Sequence, residues 1–336
     1  MPEGHTVHRL ARALDGLFGG RTLAVSSPQG RFAGGAALLD GRRVVAVEAW
    51  GKQLFCAFAP AGAKGGDGAD DVRWLRVHLG LYGAWTFAGD GSADVVHAIG
   101  APRRRIGERE TTPDLPAGDA LAAEAGDWAP PAPRGAVRLR LVGAHAVADL
   151  TGPTACDVVT GREKAAVEAR LGPDPIRADG GRGSPEASRA AFVDRVRRSR
   201  VTVGQQLMDQ AAIAGVGNIY RAEALFRAGL DPLRPGRDVP GPVLAAIWDD
   251  LVVLMRDGAA TGAIVTTRPE HRVPDGVHGA GRRTRQNTDG TAGAVPADEA
   301  FYVYHRDGLP CRVCGAPVLT KELAGRNLFW CGVCQA

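Results

Sequence analysis

The chain has 336 residues, 45% of them hydrophobic, with a formal net charge of +4 and a pI of about 8.8. That length exceeds one ordinary domain and predicts two, or two with a small module. No apolar run reaches the roughly 18 residues that a membrane span needs, and no basic segment followed by an apolar stretch opens the chain, so neither a membrane span nor a signal peptide is expected.

In chain order, the first signal is Met1-Pro2-Glu3-Gly4. The small residue at position 2 favours removal of Met1, which would expose the secondary amine of Pro2. An α-amino group has a pKa of about 7.7–8.0. Such an amine is partly unprotonated at neutral pH and can attack an aldehyde-level carbon to form an iminium. Glu3 lies within reach to move protons. The competing reading is an ordinary chain start.

Val7, Leu10, Leu14 and Leu17 recur at helical spacing and predict an amphipathic helix over 5–17. Short β-type runs follow at 21–26, 43–48, 53–59, 72–78, 84–87, 136–141 and 146–150. Turn residues separate them, predicting a β-rich sandwich or barrel with one or two helices. Two stretches, 61–71 and 89–134, are rich in Gly, Ala, Asp and Pro and read as surface insertions. Residues 153–188 read as a hinge with one short helix at 163–170. Beyond it the pattern is helical, at 190–198, 204–212, 219–228 and 242–255. Residues 276–297 are Gly/Arg/Asn/Thr-rich and predict a segment without order of its own, and 301–336 form a closing module. The expected division is therefore 1–152, 153–188, 189–300 and 301–336.

Four of the six cysteines sit in the last module as Cys311-x2-Cys314 and Cys331-x2-Cys334, while Cys56 and Cys156 stand alone. This is the pattern of a reducing compartment and a metal site, hence of a cytosolic protein. Four thiolates at this spacing suit one structural Zn(2+) with no open position. A module this short buries little core, so the metal would supply most of its folding energy. Between the pairs, Gly325 permits a tight turn and Arg326 can fork onto a phosphate. Upstream, Gly215-Val216-Gly217-Asn218 lies between two expected helices. Its glycines allow close backbone approach, and the next helix start offers N–H groups to an anion.

Taken together, these motifs resemble the Fpg/Nei family of DNA glycosylases, closest to its endonuclease VIII (Nei) branch in actinobacteria. The resemblance spans nearly the whole chain outside 61–71, 89–134 and 272–297. It rests on Met1-Pro2-Glu3-Gly4, Trp50-Gly51-Lys52, His78-Leu79-Gly80-Leu81-Tyr82-Gly83, Gly215-Val216-Gly217-Asn218-Ile219-Tyr220 and the cysteine module with Gly325-Arg326-Asn327.

The resemblance implies an α+β fold: an N-terminal β-sandwich, a helix–two-turns–helix domain and a C-terminal zinc-finger hairpin. It implies a bifunctional DNA glycosylase/AP lyase of base excision repair that works on damaged double-stranded DNA as a monomer, in the bacterial cytoplasm with the nucleoid. Pro2 would attack C1′ of a flipped nucleotide, Glu3 would protonate the sugar ring oxygen, and β- and δ-elimination would cut the strand. Lys52 would contact a phosphate and assist proton transfer. His78, Gly217, Asn218 and Arg326 would grip the DNA backbone, and Leu81 and Tyr82 would wedge into the vacated stack.

This sequence also departs from the family pattern. Thr6 stands where many relatives carry a second glutamate, and His5 is either a replacement proton relay or a helix-cap residue. Asp149-Leu150-Thr151-Gly152-Pro153 replaces the Arg-Arg-Phe-Gly turn of the guanine-oxidation branch, which favours oxidised pyrimidines over oxidised purines. Residues 268–285 lie where relatives have a loop over the flipped base. Glu223 either supports the glycine loop or is a helix-surface carboxylate.

Overall fold

The computed structural model describes residues 2–62, 71–92, 98–100, 128–272 and 295–336. Most of the expected insertions at 61–71 and 89–134, and of the segments 268–285 and 272–297, lies outside the described residues. The chain divides into two compact units: Met1–Pro2 with Thr6–Ala169, and Glu3–His5 with Arg170–Ala336.

The first unit is a sandwich of two antiparallel sheets. Strands β2 (Arg43–Trp50), β3 (Gln53–Ala59), β4 (Arg73–His78) and β9 (Ala155–Val159) form one sheet in the order β2-β3-β4-β9. The other runs β1-β7-β8-β5-β6, from β1 (Ala24–Ser26), β5 (Ala84–Gly89), β6 (Ala98–Gly100), β7 (Val137–Val142) and β8 (Ala146–Thr151). Alternating apolar residues from both sheets meet in one core, with Leu54, Phe58, Leu75 and Val77 against Trp85, Leu139 and Leu150. Helix α1 (Gly4–Phe18) adds Val7, Leu10 and Leu14 to that core, as its spacing predicts, and α2 (Ala33–Leu39) adds Ala36 and Leu39.

Strand β3 is buried almost throughout, which explains its near-continuous apolar run. Its far face is covered by Lys164 of α3 (Gly161–Glu168), whose ammonium lies 5.2 Å from the Phe55 ring and 4.5 Å from Trp74. Glu48 at 2.8 Å and Glu168 at 2.6 Å neutralise it. Thr160 and Glu163 close a capping box at the start of α3. Strand β9 was not apparent in the sequence. It falls within 153–188, pairs with β4, and belongs with α3 to the first unit. Burial pushes the Cys56 thiol up and that of Cys156 to about 12, so both stay protonated.

The second unit holds α4 (Pro185–Arg197), α5 (Val203–Gln206), α6 (Asn218–Arg227) and α7 (Gly241–Thr261) around a core that includes Phe192, Leu207, Leu225, Trp248 and Leu251. The helix expected over 204–212 stops early. Asp209 accepts the Ala211 N–H at 2.9 Å, a local side-chain bond that competes with the helix. Helix α7 runs six residues past its expected end at 255, to Thr261. It ends where Gly262 adopts φ 81°, the left-handed stop that glycine accepts. Strands β10 (Leu319–Leu323) and β11 (Arg326–Trp330) form the closing hairpin. Among the described residues no helix is long and apolar enough to cross a membrane.

Candidate active site and zinc centre

Glu3 is fully buried, and its carboxylate is held in the second unit by the glycine loop. Oε2 accepts the Gly217 N–H at 2.8 Å, and Oε1 accepts the Ile219 N–H at 2.8 Å. The Tyr220 N–H stands at 3.5 Å from Oε2. These donors form the N-terminal turn of α6, where the unpaired N–H groups and the helix dipole favour an anion. One residue on, the Gly4 N–H donates to the Gly215 carbonyl at 2.8 Å. The glycine loop thus approaches the chain start backbone to backbone, and Pro2, itself buried, is covalently tied to this anchored carboxylate. His5 is buried with its ring edge-on to Tyr220, centroids 5.5 Å apart.

In the first unit the Gly51-Lys52 turn joins β2 to β3, and the register Gln53↔His78 puts Lys52 and His78 at one end of the sheet. Burial first, then the charges of Lys52 and Arg76, lower the His78 pKa from its usual 6.5. The turn after β4 carries Leu81, half-buried, and Tyr82, 63% exposed. Gly80 adopts φ 67° with Thr154 packed against it, so a side chain there would be both strained and blocked. The exposed tip that the flanking glycines predict is present.

The four Sγ atoms of Cys311, Cys314, Cys331 and Cys334 lie within 4.8 Å of one another, with Cys311–Cys334 at 3.8 Å and Cys314–Cys331 at 3.5 Å. A tetrahedron of Zn–S bonds about 2.3 Å long has S···S edges of about 3.8 Å, so this cluster fits one Zn(2+). Gln335 fastens it to the helices, taking the Cys331 N–H at 2.9 Å and donating to the Leu230 carbonyl at 3.0 Å. Ala324 and Gly325, at φ 52° and 72°, make the two-residue turn of the hairpin. Arg326 opens β11 directly after it.

Asn218 is buried, its Nδ2 donating to the Asn327 carbonyl at 3.0 Å, and a second Nδ2 hydrogen remains to offer. The hairpin tip with Arg326 is therefore tethered to the same helix N-terminus that cradles Glu3.

Three supporting residues escaped the sequence reading or were left open by it. Gln210 holds the glycine loop, accepting from Gly215 N at 3.0 Å and donating to Val216 O at 3.0 Å. Arg221, fully buried, donates to Asn218 Oδ1 and, at 2.9 Å, to Asn327 O. Burial is the main cause that lowers its pKa to about 10. Glu223 neither holds the glycine loop nor faces solvent. It is fully buried against Thr266 and residues 302–304. No local pattern marks Gln210. Arg221 and Glu223 read as the polar face of an amphipathic helix.

Three family models match the chain. The formamidopyrimidine-DNA glycosylase N-terminal domain covers residues 1–124, the H2TH domain of the same glycosylase 171–269, and the zinc finger found in FPG and IleRS 308–336. Endonuclease 8 1 of Mycobacterium tuberculosis is 41% identical over 335 residues, covering 100% of both chains. The chain belongs to the Fpg/Nei family. Among other members, formamidopyrimidine-DNA glycosylase of Geobacillus kaustophilus is 33% identical over 167 residues, 50% of this chain and 52% of that protein. The crystal structure of MutM (Fpg) from Thermus thermophilus superposes with a TM-score of 0.61 at 26% identity, covering 99% of this chain and 98% of that one. A complex between Lactococcus lactis Fpg and abasic-site DNA shares the fold, with a TM-score of 0.64 at 18% identity and 99% of each chain covered.

Proposed function

We propose that this bifunctional DNA glycosylase and AP lyase of base excision repair removes oxidised pyrimidines from duplex DNA, working as a monomer in the bacterial cytoplasm. After Met1 is cleaved, the Pro2 amine attacks C1′ of the extruded nucleotide. Glu3 protonates the ring oxygen, the C1′–N bond breaks, and the base leaves. The resulting iminium acidifies the C2′ hydrogen, and β- then δ-elimination releases the strand ends. Lys52 contacts the phosphate beside the lesion and assists proton transfer. His78, Gly217, Asn218 and Arg326 hold the backbone, and Leu81 and Tyr82 fill the gap in the stack. Zinc is structural, held by Cys311, Cys314, Cys331 and Cys334, and shapes the hairpin that carries Arg326.

The observation that carries this reading is the anchored Glu3 carboxylate, next in the chain to Pro2 and bonded to Gly217 and Ile219. A pyrimidine preference is supported by the turn after β8. Gly152 at φ 61° reverses the chain tightly there, leaving no pair of bulky side chains to join Leu81 and Tyr82. The test is borohydride trapping on duplexes with single defined lesions. Thymine glycol and dihydrouracil should trap the parent far better than 8-oxoguanine, and acylation that blocks the Pro2 amine should abolish trapping. Glu3→Gln should lose base excision. Preferential trapping on 8-oxoguanine would overturn the pyrimidine assignment, and undiminished trapping by protein with a blocked Pro2 amine would overturn the nucleophile.

A further inference from the structure

Helix α6 holds the zinc module at two places, and the second has no part in the reaction above. At the first, Asn218 and Arg221 both donate to the Asn327 carbonyl. At the second, Glu223 receives a convergence of donors. Its Oε1 accepts Val303 N at 2.9 Å and Tyr304 N at 2.8 Å. Its Oε2 accepts Tyr302 N at 2.8 Å and the Thr266 hydroxyl. Three consecutive backbone N–H groups aimed at one fully buried carboxylate form an anion nest filled from within the protein.

The fixed segment packs against the hairpin. The Tyr302 ring stacks on Phe226 of α6 at 4.6 Å. Tyr304 and His305 pack their rings on Phe329 at 5.5 and 5.0 Å. Phe329 lies on β11, the strand that begins with Arg326. A rigid path therefore runs from Glu223 through 302–305 and Phe329 to the arginine at the tip.

We propose that Glu223 is the positioning residue for the Arg326 phosphate contact, setting the hairpin's orientation from the helix that also cradles Glu3. The proposal rests on the phosphate role assigned to Arg326 under the proposed function. Neutral glutamine cannot replace the carboxylate. Its amide nitrogen would face backbone N–H donors, leaving at least one buried donor unpaired while side-chain volume is kept.

The experiment is a double-mutant cycle on the zinc-loaded protein, read as the Kd for a duplex carrying a tetrahydrofuran abasic analogue, measured across salt concentrations. Glu223→Gln should bind about tenfold more weakly and lose about 0.9 from the salt slope, the signature of one phosphate contact. One zinc per chain should remain, and so should trapping at saturating abasic DNA. Combined with Arg326→Ala, it should add less than about twofold to the loss from Arg326→Ala alone.

A purely structural role would lower Tm and the active fraction but leave the active molecules' Kd and salt slope at parent values, which would overturn the proposal. Full additivity in the cycle would overturn it as well. If Glu223→Gln fails to fold, Thr266→Val, which removes one of the four donors, replaces it and should show the same non-additivity at smaller size. Failure of Arg326→Ala to weaken binding would instead refute the phosphate grip itself, an outcome distinct from additivity, which removes only the part of Glu223.

Discussion

Gly217→Ala probes the active site without altering any reacting atom. Gly217 has φ −124° and ψ −159°, an extended backbone that any residue adopts, so alanine meets no conformational penalty. What it meets is Glu3, because a Cβ at residue 217 would lie 2.5 Å from Glu3 Cδ and 2.7 Å from Oε1. Carbon pairs settle at about 3.5–4.0 Å, so the carboxylate must retreat by about 1 Å.

The bond most exposed to that retreat is Gly217 N–H to Oε2, at 2.8 Å. A hydrogen bond to a charged group is worth about 1.5–3 kcal/mol. A displacement of ~1 Å at a catalytic group costs about 100-fold in rate, or about 2.7 kcal/mol, so the two routes agree. The assay is single-turnover excision of a thymine glycol base at saturating enzyme, alongside borohydride trapping on a preformed abasic site. Excision should fall about 100-fold, while trapping, where the base is already gone, should stay within a few-fold. A folded Gly217→Ala protein that excises at the parent rate would refute the assignment of Glu3 as the proton donor.

Three further outcomes follow from other parts of the molecule. Stripping zinc with a chelator should unfold residues 301–336 and weaken duplex binding at least about tenfold, while the far-UV CD of the β-sandwich persists; unchanged binding by zinc-free protein would contradict the hairpin's role. Lowering of the His78 pKa means that the folded chain keeps the imidazole neutral where the unfolded chain binds a proton. Its stability contribution is therefore complete above the usual 6.5 and is lost as pH falls through it towards the folded-state value. A DNA phosphate beside the ring favours the charged form, so binding should take up a proton and tighten as pH falls through the usual 6.5, and His78→Asn should abolish that dependence. Lys164→Met removes the cation between Glu48 and Glu168, and because Glu48 is 32% exposed the cost should be about 2 kcal/mol, below the 3–5 of a fully buried pair. Urea midpoints measure it, and an unchanged midpoint would show that the cluster is stabilised otherwise.

What the sequence made legible was whatever is encoded locally. The unbroken apolar run of β3, the alternation through β7, the i, i+3, i+7 spacing of α1 and the two Cys-x2-Cys pairs are each encoded within a short stretch. A carboxylate beside a proline amine singles out Glu3 in the sequence, but its anchoring on residues 217 and 219 leaves no local mark. What stayed hidden depends on distant partners. Strand β9 has little apolar alternation and is a strand because β4 offers it an edge. Arg221 and Glu223 look like solvent-facing charges, yet α6 is covered on both sides, by the helical core and by the zinc module. Their partners lie at residues 327 and 302–304, beyond the reach of any periodicity argument. The same holds for Gly217. Its dihedrals do not require glycine, and its reason is a side chain 214 residues away.

The geometry around Glu3 also bears on how the proposed reaction balances its protons. Each carboxylate oxygen has two lone pairs, and the short bonds from Gly217 and Ile219 take one on each oxygen. The Tyr220 N–H approaches Oε2 as well, at 3.5 Å, so backbone donors hold Glu3 by both oxygens. The Pro2 amine must shed a proton before it can attack, and the sugar ring oxygen must gain one as the ring opens. In the proposed reaction, a carboxylate adjoining that amine in the chain and anchored by backbone donors takes the first proton and delivers it as the second. An acid at position 3 and a glycine at position 217 are therefore two halves of one arrangement: a buried carboxylate held by backbone donors that only a residue without a Cβ lets so close.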